Sequence, residues 1–264
     1  MYGLLRSLPH CTCFILDKIE KLGLDKNGVL HFLETAEGNN YVVDGDDFWR
    51  AYVYVPNSLT VNHSDDLNKI RSAGKAFGNF QMMLADFDAT ELYETIPNFH
   101  NTRSRLAVFF RHVNEDPCGR VAEVREEIEK IRSLRPLAQR LNELIDSQEL
   151  PLRVTHNDTK INNILFDKDT DEAKTVIDLD TVMPGYSVTD FGDSIRFGAN
   201  RAAEDETDLS KVTLDLELFE AYAKGFLEGC GGALTDKEIE LLPEGAIMMT
   251  LECGMRFLGD YLNG

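Results

Sequence analysis

The side chains best placed to do chemistry together lie between residues 154 and 180: His156, Asp158, Lys160, Asn163, Asp178 and Asp180. Two short apolar runs, Ile164-Leu165-Phe166 and Thr175-Val176-Ile177, flank a polar connection rich in Asp, Lys and Thr, which predicts a β-hairpin. Antiparallel pairing sets the residue before the first strand beside the residue after the second, so Asn163 and Asp178 become neighbours despite a separation of 15 positions. Asp158 sits five residues before Asn163, on the loop that enters the hairpin. One amide and two carboxylates thus gather at one mouth, without a cysteine or a second histidine. Hard oxygen donors of this kind suit magnesium. A carboxylate left off the metal can orient a hydroxyl nucleophile and accept its proton, and phosphoryl transfer needs little beyond such positioning and charge neutralisation. The plain alternative is a hairpin whose Asp and Asn residues only make turns.

The spacing D-x-x-x-x-N, followed after a hairpin by Ile-Asp, is that of the protein-kinase catalytic loop and its metal aspartate. His156-x-Asp158-x-x-x-x-Asn163 with Ile177-Asp178 resembles the aminoglycoside phosphotransferase and choline kinase family. The longer strings Val154 to Lys160, Asp178 to Gly185 and Asp190 to Gly198 are similar to N-acetylhexosamine 1-kinases, as are Ala76 to Gln81 and Glu252 to Leu258. The resemblance runs from about Phe48 to the last residue. It implies a protein-kinase-like two-lobed fold and transfer of the γ-phosphate of ATP to the anomeric hydroxyl of GlcNAc or GalNAc, with magnesium. Carried over by position, it makes Asp158 the catalytic base in contact with substrate, Asn163 and Asp178 the metal ligands, and Arg256 a sugar-binding arginine. Asp180 would support the metal or its waters. The backbone from Tyr52 through Tyr54 to Val55 would be the hinge strand that hydrogen-bonds adenine. His156 is expected to order the loop rather than move protons. Lys160 is a candidate for charge stabilisation near the transferred group, with a solvated lysine as the alternative. Arg196 is open between a structural ion pair and a substrate contact, and Asp190 and Asp193 are expected to be loop and helix-capping groups.

The elements that must position these groups are an α+β set. A helix over Ile15 to Leu22 is followed by the turn-rich stretch 23–28. Strands are expected at Val29 to Leu33, Asn40 to Val43 and Phe48 to Val55, the last stopping at Pro56. Leu67, Ile70, Ala73, Ala76, Phe77, Phe80 and Leu84 repeat at helical spacing. Val121 to Leu134 do the same until Pro136, which should kink or break the run. A third such helix starts near Leu218, and Thr235-Asp236-Lys237-Glu238 is a capping box that opens a fourth. The expected division is a clipped sheet lobe, residues 1–56, and a helical catalytic and substrate lobe, residues 57–264.

Composition narrows the partners. The 264 residues carry 27 Lys and Arg against 46 Asp and Glu, a net charge of −19. Such a surplus repels phosphate backbones and anionic lipid, so nucleic acid and membrane surfaces are not expected partners. No run approaches the roughly 20 apolar residues of a spanning helix, and the start lacks a signal-peptide pattern. A cytoplasmic monomer is expected, with Cys11, Cys13, Cys118, Cys230 and Cys253 as free, mostly buried thiols. The acidic run 203–208 reads as a solvated loop or helix start. No G-x-G-x-x-G or G-x-x-x-x-G-K-[ST] occurs, and Gly229-Cys230-Gly231-Gly232 reads as an inter-helix turn. Relatives carry a phosphate loop and a basic residue on a following strand. The chain is therefore expected to be a hexosamine kinase shortened at both ends. The alternatives are another small-alcohol kinase, of the aminoglycoside or choline kinase type, or an inactive lobe.

Overall fold

The computed structural model describes residues 2–24, 26–202 and 206–264; the first half of the acidic run, residues 203–205, lies outside them. Helix α1 spans Tyr2–Leu22, much longer than expected, because the apolar spacing that buries Cys11, Ile15 and Ile19 extends back to Leu4 and Leu8 in the sequence. The three expected strands are mostly replaced by short pieces. β1 (Val42–Asp44) and β2 (Asp47–Trp49) form a two-stranded ladder. Residues 31–33 only bridge residues 51–53, through Leu33 N–H to Ala51 O at 2.8 Å and Val53 N–H to His31 O at 2.9 Å. The run 48–55 thus changes partner at Arg50 instead of forming one strand. A two-stranded ribbon without a covering layer has little apolar face to bury.

The helical part is tighter. α2 (Leu67–Met83) is capped by Asp66, whose side chain accepts from Asn68 N and Lys69 N. It packs against α6 (Leu216–Cys230) with the two backbones in close approach. Gly74 and Gly78 on one helix, and Gly225 and Gly229 on the other, make this possible. A Cβ on Gly74 would collide with Tyr222 O, and one on Gly225 with Arg71 O. The same device seats α5 (Ser187–Gly198) on α7 (Asp236–Asn263), where a Cβ on Gly192 would strike Gly245 O. The capping box is present at the start of α7: Glu238 N donates to Thr235 Oγ1 and Thr235 N to a Glu238 carboxylate oxygen.

A second apolar cluster joins α3 (Thr102–Glu115), α4 (Arg125–Asp146) and α7 through Leu106, Phe109, Ile128, Ile131, Leu251 and Met255. Pro136 does not break α4. It lies on the exposed side, where the carbonyl that loses its amide partner can meet water, while Ala138 and Leu141 keep packing inward. Between the helices lie β4 (Arg153–Thr155) paired with β7 (Met183–Gly185), and the expected hairpin, β5 (Ile164–Asp167) with β6 (Ala173–Val176). A short strand after Pro56, β3 (Ser58–Leu59), adds a third member to the hairpin sheet. All five cysteines are free, but Cys13 and Cys118 are exposed, so only Cys11 and Cys230 fit the expectation of buried thiols fully. Among the described residues no helix is long and apolar enough to cross a membrane.

Candidate active site

The hairpin register sets the centre of the site. Ile164 pairs with Val176, and Ile177 N–H donates to Asn163 O at 2.9 Å. Asn163 therefore stands opposite Ile177, one residue short of the expected partner, and Asp178 follows directly at the same mouth. Asp178 adopts φ 58°, ψ 56°, a left-handed conformation that ends the extended run and turns the chain into the 3-10 turn Leu179–Thr181. Asn163 Nδ2 donates to Asp158 O at 2.8 Å and to Asp158 Oδ2 at 2.9 Å. Both amide hydrogens are committed to Asp158, and among the described residues Asn163 Oδ1 accepts no hydrogen bond. Asp178 likewise makes no hydrogen bond or ion pair among the described residues. A hard cation would find one amide oxygen and one carboxylate here, beside a second carboxylate held by the amide. Among the described residues no three His, Cys, Asp or Glu side chains cluster as a metal site, and the amide is an essential part of this donor set.

Asp180 is placed differently. Its carboxylate pairs with the Arg50 guanidinium, which also lies 5.3 Å from the Phe32 ring centroid. One Arg50 nitrogen, Nη1, is buried without a partner. Lys160 Nζ lies 3.4 Å from Asp158 Oδ1. Arg256 stands apart, exposed on α7 with its guanidinium 5.0 Å from the Phe257 ring centroid, and no contact joins it to the hairpin groups. In the stretch expected to be the hinge, Ala51 O and Val53 N–H face residues 31–33, so the backbone groups of Tyr52 and Tyr54 face the opposite edge. Val55 is buried, and its carbonyl accepts from Ser58 Oγ at 2.8 Å.

The loop that carries Asp158 is fastened from several sides. His156 is fully buried between Phe77 and Phe80, whose rings meet it edge-on. Its Nε2 donates to Ile177 O at 2.9 Å, and its Nδ1 accepts from Asp158 N–H at 3.3 Å. That pattern requires a neutral ring protonated on Nε2, an ordering role with no proton to spare. Asp190 accepts from His156 N–H at 2.9 Å, Asn157 N–H at 2.8 Å and Gln81 Nε2 at 2.9 Å. Burial pushes its carboxyl above the usual range, against the pull of those donors. Asp193 accepts from Thr159 N–H at 3.1 Å and is paired with Arg196 at 2.9 Å. Asp190 and Asp193 therefore cap no helix, in contrast to the expectation. They sit inside α5, on its buried face, and hold the loop's amides. Two acids three residues apart, set among Val188, Phe191 and Ile195, were the available signal, since a buried carboxylate needs donors from somewhere. The same geometry gives Arg196 its ion pair, and Arg196 also borders a cavity of about 1240 Å³ between α4, α5 and α7.

The phosphotransferase enzyme family model, APH, matches residues 30–225. A microcompartment-associated aminopropanol kinase superposes with a TM-score of 0.55 at 17% identity, over 97% of this chain and 78% of that one. An ethanolamine kinase from Plasmodium vivax gives 0.52 at 15% identity, over 96% and 69%. The AMP-bound complex of a spectinomycin phosphotransferase gives 0.52 at 12% identity, over 97% and 79%. These likenesses fix the fold as the small sheet lobe and larger helical lobe of the kinase-like phosphotransferases. The family match spans well over half of the chain, and the protein belongs to the phosphotransferase enzyme family.

Proposed function

We propose that this chain transfers the γ-phosphoryl group of ATP to the anomeric hydroxyl of an N-acetylhexosamine, GlcNAc or GalNAc. The observation that carries the phosphoryl-transfer part is the clasp of Asn163 on Asp158 at the hairpin mouth, with Asp178 beside it and unpaired. The hexosamine part rests on the resemblance of the loop, α5 and α7 strings. Asp158 orients the sugar hydroxyl with one carboxylate oxygen and takes its proton as the bond to phosphorus forms. Lys160, already beside that carboxylate, lies where it can offset charge on the transferred group. Asn163 Oδ1 and Asp178 would hold magnesium, which when bound neutralises phosphate charge. Tyr52 and Tyr54 offer the free backbone edge that adenine recognition uses.

The second reading is an amino alcohol as acceptor, favoured by the net charge of −19, which suits a cationic substrate. Phosphorus NMR of ATP with GlcNAc, GalNAc, ethanolamine, 1-amino-2-propanol and kanamycin separates the two. Hexosamine 1-phosphate formed with the first two alone supports the proposal. A phosphoester formed on an amino alcohol instead replaces it with the second reading.

A further inference from the structure

The peptide unit that joins Asn157 to Asp158 is held at both ends. Its N–H, belonging to Asp158, donates to His156 Nδ1. Its carbonyl, belonging to Asn157, accepts from His100 Nε2 at 2.9 Å. A peptide plane is rigid, so fixing its oxygen and its hydrogen fixes its rotation and hence the direction in which Asp158 leaves the chain. The need for such a hold is visible in the backbone, since Asn157 has φ 65°, a left-handed conformation that costs a non-glycine residue energy. His100 is itself anchored. Its Nδ1 lies 3.1 Å from Glu252 Oε2 on α7, and the Glu252 carboxylate is buried, with Thr102 Oγ1 donating to it and Arg105 Nε at 3.4 Å.

We propose that His100, charged and braced by Glu252, is a positioning residue that clamps the Asn157–Asp158 peptide plane and so aims the catalytic base. This rests on Asp158 acting as that base. Both ring nitrogens face acceptors only, and an imidazolium alone donates to both at once. Burial opposes the charge, but the hydrogen bond and negative charge of Glu252 outweigh it, so the His100 pKa is raised. Other charged groups facing this cluster are Arg105 on α3 and Asp193 on α5, and the pocket that His100 lines also carries Glu94, Arg103 and Asp146. Below the raised value the clamp is closed. As pH rises through it, the ring keeps the Nδ1 proton against the Glu252 carboxylate and loses the one on Nε2, so the contact with Asn157 O becomes one between two acceptors and the clamp opens.

The variants His100→Gln and His100→Leu test this. Glutamine can place an amide donor near the Nε2 position, whereas leucine keeps bulk and offers none. The expected result for His100→Leu is a fall in kcat of about 10- to 100-fold with the KM for ATP changed less than about two-fold, because misaiming a reacting group costs rate and not nucleotide binding. His100→Gln should recover most of kcat and lose the alkaline fall of the wild-type pH profile. Equal losses in both variants, or a loss confined to KM, would overturn the clamp. A second readout needs no turnover. Nitrogen NMR of the wild type should show both His100 ring nitrogens protonated at neutral pH, and the Asp158 amide should exchange faster in His100→Leu than in the wild type. An unchanged exchange rate refutes the clamp whatever the substrate. Absent phosphoryl transfer with intact NMR signatures would instead sink the kinase reading alone.

Discussion

The loop 155–159 and the ribbon β1–β2 are built in opposite ways. In the loop, the amides of His156, Asn157, Asp158 and Thr159 all donate to buried or half-buried side chains. In β1 and β2 every residue but Phe48 is exposed, and the ladder partners are only each other. The chemistry-bearing geometry is therefore held by the helical part of the molecule. β1 and β2, by contrast, contribute backbone edge with little packing behind it. This divides the functions: failure in the loop should abolish transfer or unfold the helical part, whereas failure in the strands should leave the fold standing.

The sharpest way to test that contrast is within the site. Asp158→Asn should lower kcat by about 10³-fold, the scale of a lost general base, while calorimetric binding of magnesium-ATP stays intact. Asp178→Ala should show the reverse split, weakening metal-dependent nucleotide binding in the same titration. If Asp158→Asn keeps most of its rate, the base is elsewhere. Next in size is Asp190→Ala, which strands two buried backbone amides and the Gln81 side chain. A urea melt should register a loss of about 3 kcal/mol, with the catalytic loop as the first region to exchange amide protons.

A smaller effect is expected from one substitution made in two places. Gly225→Ala places a methyl group against Arg71 O and should cost about 1–3 kcal/mol. Gly198→Ala, with nothing within 4 Å of the new carbon, should leave the melting temperature level or slightly higher. Equal effects would mean that α2 and α6 are not in the close contact described. Smallest is Arg50→Ala. Its ion pair with Asp180 is partly solvent-exposed, so the melting midpoint should move by less than about 1 kcal/mol equivalent. A large loss would show that the strands are structural after all, and the comparison would fail.

Helices α2, α4, α6 and α7 and the hairpin were readable from the sequence because apolar spacing and turn residues act locally, and Thr235 to Glu238 announced the start of α7 with its own side chains, whereas α3, α5 and most of α1 were not expected. Asp158, Asn163 and Asp178 were readable for the same reason, as one hairpin brings them together. The strands between 29 and 55 were overcalled. Aromatic and β-branched residues mark a chain that can be extended, but they do not say whether a neighbour exists to complete a sheet. Pro136, expected to kink or break its run, leaves α4 unbroken, because its effect depends on which side of the helix meets water. The partners of Asp190, Asp193 and His100 are distant in sequence and not legible from it, although the spacing of the two acids in α5 marks a need for donors. The pairing of Asp180 with Arg50 spans 130 positions, and nothing local announces it.

The glycine-lined crossing of α2 and α6 also limits how this molecule can move. With main chain against main chain there is no cushion of flexible side chains along which the two helices can slide, so they travel as one piece.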